Sequence, residues 1–179
     1  GDLVVVGGRP SMGKTAFMMS LAQNVAEQGY YPAVFSLEMT ALSLALRALS
    51  GKAKMNSKKF RVLKYLAIDD LKKLATILTV NADTWQRIKL QDASGLTPIE
   101  MRARLKRLFA RTPEMIDKSC FMVDYTQIIA SGKKYQSREQ EVSFISGFLK
   151  RMAKEFNIPG IVFSQLNRAV ESRGGDNRP

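Results

Sequence analysis

The chain has 179 residues, 45% of them apolar, enough to bury one core of ordinary size; no run approaches the ~20 apolar residues of a membrane span, and no charged-then-apolar secretory segment opens it. Its single cysteine, Cys120, excludes an internal disulfide and suits a reducing cytoplasm, while the absence of histidine excludes imidazole-ligated metal and leaves oxygen-liganded Mg²⁺ as the expected ion. A net charge of +12 points first to nucleic acid, second to an anionic membrane surface, with a solvated basic face as the bland alternative.

The chain starts at Gly1 and is expected to be an excised or processed domain. Leu3-Val4-Val5-Val6 is a short apolar strand run. It feeds Gly8-Arg9-Pro10-Ser11-Met12-Gly13-Lys14-Thr15, which fits G-x-x-x-x-G-K-[ST] between a strand and a helical pattern. Glycine lets the backbone curl so that successive N–H groups point at phosphate oxygens. The helix that follows adds the positive end of its dipole. A lysine ammonium here reaches the β- and γ-phosphates, and a threonine hydroxyl ligates Mg²⁺. The nucleotide-contacting stretch is therefore placed at Gly8, Arg9, Pro10, Ser11, Met12, Gly13, Lys14, Thr15 and Ala16.

Lys14 to Gln28 reads as an amphipathic helix, with Phe17, Met18, Leu21, Val25 and Ala26 inward and Gly29 as its stop. Pro32 to Leu37 is a buried-strand run ending at Glu38. A helix is expected over 41–50, stopping at Gly51. Residues 52–73 are lysine-rich and read as one or two short surface helices, followed by another over 70–80. Trp85 to Leu90 is a strand candidate. Thr97, Pro98 and Glu100 spell a capping box with proline at the first helical position, opening a helix to about Arg111. Its Arg102, Arg104, Lys106 and Arg107 project away from the apolar face, as solvated charge or a subunit contact rather than a DNA contact.

Ser119 to Asp124 is an apolar strand ending in an acid. A basic loop, Ser131 to Gln136, carries Lys133 and Lys134. Ser137 and Gln140 form a second possible capping box before a helix to about Asn157. Pro159 to Ser164 is the last strand, ending at Gln165. The tail from Asn167 to Pro179 is basic and glycine-containing.

Alternating strands and helices predict an α/β fold, a mostly parallel sheet flanked by helices on both faces. Ligand chemistry then gathers at the carboxyl ends of the strands, where Glu38, Asp124 and Gln165 stand beside the phosphate loop. Asp124 suits the Mg²⁺ shell together with Thr15; otherwise it is a capping or surface acid. Glu38 suits a base for an attacking water; otherwise it caps the 41–50 helix. Gln165 suits a γ-phosphate sensor; otherwise it makes a plain amide hydrogen bond. With Lys14, Glu38 and Gln165 are the candidate catalytic residues.

These motifs resemble the RecA-like motor domain of DnaB-type replicative hexameric helicases. Gly8 to Phe17 looks like that family's Walker A stretch. Phe35-Ser36-Leu37-Glu38-Met39 is similar to its second motif, which carries the catalytic glutamate. Val123-Asp124-Tyr125-Thr126-Gln127 resembles its Walker B segment, with Thr126 where leucine is more usual. Ser164-Gln165-Leu166-Asn167-Arg168 looks like the motif carrying the γ-phosphate sensor. The resemblance implies a single RecA-like P-loop NTPase domain over 1–179, truncated before the C-terminal end of the family's motor domain. It also implies that the family's arginine finger lies beyond Pro179 and that its N-terminal domain is absent.

The implied function is an ATP- and Mg²⁺-dependent DNA helicase. Its subunits form a hexameric ring on single-stranded DNA and work with a helicase loader and primase in the cytoplasm, without a membrane. Two loops are candidates to grip DNA, one through Lys133 and Lys134 and the other through Arg168, Arg173 and Arg178. Each could instead be solvated. The alternatives are a recombinase-type filament ATPase and a nucleotide-gated assembly module that unwinds nothing.

Overall fold

The computed structural model describes residues 1–56, 59, 66–93, 95–124, 129 and 135–165. The described residues form five strands, all but β3 on apolar runs: β1 (Leu3–Gly8), β2 (Tyr31–Ser36), β3 (Lys89–Asp92), β4 (Ser119–Asp124) and β5 (Gly160–Gln165). They pair in the order β1-β5-β4-β2-β3, and every pairing is parallel. Between them lie α1 (Lys14–Glu27), α2 (Ala41–Ala53), α3 (Ile68–Val80), α4 (Ala82–Arg87), α5 (Pro98–Arg111) and α6 (Arg138–Phe156). A short 3-10 helix, Pro113–Lys118, leads into β4. Among the described residues no helix is long and apolar enough to cross a membrane.

The period of two along each strand divides the core. Ala33 and Phe35 of β2 and Phe121 and Val123 of β4 pack with Met101 and Leu105 of α5 and Ile145 and Leu149 of α6. The intervening Val34, Cys120 and Met122 face Met18 and Ala22 of α1 and Leu44 and Ala48 of α2. Helices thus cover both faces, as the α/β reading expects. Burial pushes the Cys120 thiol up to about 11, so it sits in the core as a neutral apolar group. A third, smaller layer joins Leu49 and Ala53 of α2 to Leu74 of α3.

Helix starts follow side-chain chemistry. Thr97 accepts from the Glu100 N–H, and the Glu100 carboxylate accepts from the Thr97 N–H at 2.8 Å, closing the expected capping box. The same contacts hold the Glu100 carboxyl below its usual range, the backbone bond to Thr97 contributing most. Ser137 caps α6 by accepting from the Gln140 N–H. Gly29, at φ 88°, takes the left-handed geometry that stops α1.

Four expectations need correction. Trp85 lies in α4, not in a strand; the strand begins at Lys89. Trp85 instead packs its ring on the α1–α2 core, so tertiary contact outweighs β propensity. Gly51 does not stop α2, which runs to Ala53 and ends at Lys54 with φ 52°. Phe17 is 54% exposed, and the buried face of α1 runs through Met18, Met19, Ala22 and Ala26. The apolar run of β1 is not covered on both sides: Val4 and Val5 are exposed on a strand with one sheet neighbour among the described residues. Of the surface helices expected over 52–73, residues 57, 58 and 60–65 lie outside the described residues, and the described part holds the end of α2 and the start of α3.

Close approach of β4 and β5 depends on Gly160. A Cβ there would stand 2.3 Å from Cζ of the fully buried Phe121 ring. Gly160→Ala is expected to destabilise the fold by about 1–3 kcal/mol through overpacking. Urea unfolding should show a lowered midpoint with an unchanged far-UV spectrum.

Candidate active site

Parallel pairing sets the carboxyl ends of the strands along one edge. Register places Gly8 of β1 beside Gln165 of β5 and Ser36 of β2 beside Asp124 of β4. Between these pairs the chain turns from β1 into α1 through the phosphate loop. Ser11 (φ 63°) and Gly13 (φ 84°) both adopt left-handed backbone there. Such geometry turns successive N–H groups inward, and strain of this kind collects at functional loops. Gly13 also stands at the N-cap of α1, so the helix's positive end faces the same space.

The Lys14 ammonium folds over the loop, donating to the carbonyls of Gly8 at 3.0 Å and Arg9 at 3.1 Å. A Cβ at Gly8 would meet the Lys14 stem at 3.0 Å, so a side chain there would have to displace that course slightly. Thr15, in the first turn of α1, donates its hydroxyl to Asp124 Oδ2 at 2.6 Å. Asp124 is only 2% exposed, so it is not the surface acid of the alternative reading.

Beyond β2 the chain makes a tight turn. Ser36 Oγ donates to the Met39 carbonyl at 2.7 Å and accepts from the Met39 N–H at 3.2 Å. Glu38 is carried on that turn. It does not cap α2: Thr40 does, accepting from the Ser43 N–H at 3.2 Å. With its capping alternative removed, Glu38 faces a cavity of about 590 Å³ lined also by Pro10, Ser11, Gly13, Lys14, Thr15, Ala16, Met39, Arg47, Asp124 and Gln165. Gly8, Arg9 and Met12 belong to the loop without lining the cavity. Lys133, Lys134, Arg168, Arg173 and Arg178 lie outside the described residues.

Among the described residues no cluster of three or more His, Cys, Asp or Glu could hold a metal by itself. A hydroxyl–carboxylate pair beside a phosphate loop instead fits Mg²⁺, which keeps waters and takes phosphate oxygens. The donor set fits a magnesium–triphosphate, and Thr15 and Asp124 are the residues that could hold the ion.

A family model, the DnaB-like helicase C terminal domain, matches residues 1–179. The chain belongs to this DnaB-like helicase family. It is 38% identical over 179 residues to the replicative DNA helicase DnaB of Pasteurella multocida, covering 99% of this chain and 37% of that protein. It is equally 38% identical over 180 residues to the DnaB of Geobacillus stearothermophilus, covering 99% of this chain and 38% of that one. Among solved structures, an ATPase domain superposes with a TM-score of 0.87 at 29% identity, covering 99% of this chain and 61% of that one. A DnaB-like replicative helicase studied with its primase superposes at 0.86 and 29% identity, covering 99% and 42%. The fold is thus the RecA-like ATPase fold of DnaB-like helicases.

One lining residue of this DnaB-like site escapes a motif search. Arg47 reaches the cavity from the second turn of α2. Its only signal was phase: counted from the Thr40 cap, it falls two turns along a helix whose start abuts Glu38. Outside the cavity lining, Asp92 ends β3 and accepts from the Ala41 N–H at 2.8 Å, anchoring the start of α2. Asp124→Asn is expected to keep the fold but lose Mg²⁺-dependent tightening of ATP binding. Fluorescent-nucleotide titration with and without Mg²⁺ reads this directly, and retained Mg²⁺ dependence would remove Asp124 from the ion's shell.

Proposed function

We propose that the chain is the ATP-hydrolysing motor module of a replicative DNA helicase. What carries the reading is one cavity lined by the phosphate loop, Glu38, Asp124 and Gln165 together. A passive binder needs the loop alone. A hydrolase also needs a carboxylate for the water and a group that detects the γ-phosphate.

In this reading the loop N–H groups and Lys14 hold the triphosphate, and Thr15 and Asp124 hold Mg²⁺. When bound, Mg²⁺ supplies neutralisation of charge across the β- and γ-phosphates. Glu38, on its turn outside β2, orients the attacking water and takes its proton. Gln165 contacts the γ-phosphate from the end of β5 and passes its presence or loss to residues 166–179. Arg47 adds positive charge on the wall shared with Glu38. The remaining transition-state cation comes from a neighbouring subunit of a hexameric ring, where such an arginine is worth about 10³–10⁵ in rate.

The chain spans 37–38% of the length of the DnaB relatives it matches, so strand separation belongs to the whole protein. There the module translocates on single-stranded DNA in the cytoplasm, in company with a loader and primase. Lysines and arginines of 131–136 and 166–179 grip the backbone without reading sequence.

Glu38→Gln is expected to keep ATP affinity while lowering turnover by about 10²–10⁴-fold, whereas Lys14→Ala loses both. Turnover and nucleotide titration on the complete protein separate the two. On a forked duplex the complete protein should separate strands with ATP, and Lys14→Ala should not. DNA-stimulated turnover without strand separation would favour a recombinase-type filament. This chain alone should turn ATP over slowly, and fast turnover independent of protein concentration would sink the shared-site reading.

A further inference from the structure

We propose that the flank of the sheet beside β3 is a second polyanion site, suited to the phosphodiester backbone of a single nucleic-acid strand. Arg104, Arg107, Leu108 and Arg111 of α5 and Gln91 of β3 line an open cavity of about 380 Å³. It shares no residue with the nucleotide cavity.

The three arginines recur at helical spacing on one face of α5. At 1.5 Å per residue their Cα atoms are spread over about 10.5 Å of helix. Arg104 is positioned by donating from Nη1 to Gln91 Oε1 at 3.3 Å. Arg107 and Arg111 are exposed, and neither forms an ion pair among the described residues. Arg102, on the same helix, behaves differently: it forks onto both oxygens of Glu155 at 2.6 Å each. The helix therefore neutralises one arginine within the fold and leaves a stripe of three converging on open space.

Like charges three and four residues apart destabilise a helix; Glu100 one turn earlier offsets Arg104, but Arg107 and Arg111 face Gln91's neutral wall with no acid in an ion pair among the described residues. An anion is the missing partner. A guanidinium fork matches phosphate oxygens in two-point contact. Three forks spread over this length exceed what one phosphate can span, which favours a chain of phosphates over a free ion. Leu108 lies among the arginines as an apolar patch for a sugar or base face. The open cavity lets a strand pass along it. With +12 on the chain, a long polyanion is drawn toward the surface before contact.

The test is anisotropy of a labelled dT20 strand with this chain across a salt series. Arg107→Ala/Arg111→Ala should weaken binding and make the slope of log K against log salt shallower by about 1.4, two lost contacts on a single strand. Binding of a fluorescent ATP analogue should not change, and thermal unfolding should show the variant folded. Lys133→Ala/Lys134→Ala, made separately, should add its own loss on top. Unchanged dT20 affinity and slope in the arginine variant would overturn the proposal. So would polyglutamate displacing dT20 from the wild type as well as unlabelled dT20 does, which would assign the cavity to an acidic polypeptide. Neither result bears on the Glu38→Gln turnover test, so the two readings fail separately.

Discussion

A single hydrogen bond holds the two halves of the nucleotide site in place. Thr15 Oγ1 donates to Asp124 Oδ2 at 2.6 Å across 109 residues of sequence. Asp124 is almost wholly buried, and an unpartnered carboxylate there would cost several kcal/mol. The Thr15 hydroxyl and the positive end of α1 meet that demand together. The first turn of α1 is thereby tied to the end of β4. Lys14, one residue earlier, is left above the Gly8 and Arg9 carbonyls.

The rest of the sheet makes this bond possible. Parallel strands share a direction, so their carboxyl ends must share an edge. Register does the finer placement: Ser36 lies beside Asp124, and Gly8 beside Gln165. A slip of one residue would exchange the two core faces, turning Phe121 and Val123 away from α5 and α6. The core packing that stabilises the domain is therefore also what aligns Glu38, Asp124 and Gln165. Gly160 belongs to the same constraint, because it lets the Phe121 ring lie against β5.

Most of this was legible because its signals are local. The phosphate loop is a contiguous pattern, and the Thr97 box needs only four residues. Glu38, Asp124 and Gln165 each end an apolar run, and a parallel sheet brings such ends together without further information. What could not be read depends on contacts distant in sequence. Trp85 has a strand former's side chain, yet a six-residue helix carries it onto α1 and α2. Gly51 has the look of a helix stop, but α2 continues because Ala53 packs on Leu49 and Leu74. Val4 and Val5 read as buried until the strand order places β1 at one side of the sheet. Arg47 has no motif, and only the helix phase after Thr40 brings it to the cavity.

The positive charge of the chain is not evenly committed. Arg102 is forked onto Glu155, Lys59 bonds Asp70, and Lys150 bonds Asp2. These pairs lie on the surface and each contributes little to stability. In the stripe of Arg104, Arg107 and Arg111, Arg104 has Glu100 one turn before it, whereas Arg107 and Arg111 form no ion pair among the described residues. A motor that pulls on a strand needs a grip that alternates with nucleotide state. Gln165 stands beside Gly8, at the edge where the phosphate loop begins. The stripe is different in kind: it is borne by a rigid helix on the far side of the sheet, sharing no residue with the nucleotide cavity. The proposed polyanion site therefore stands apart from the nucleotide cavity, on a separate face of the fold.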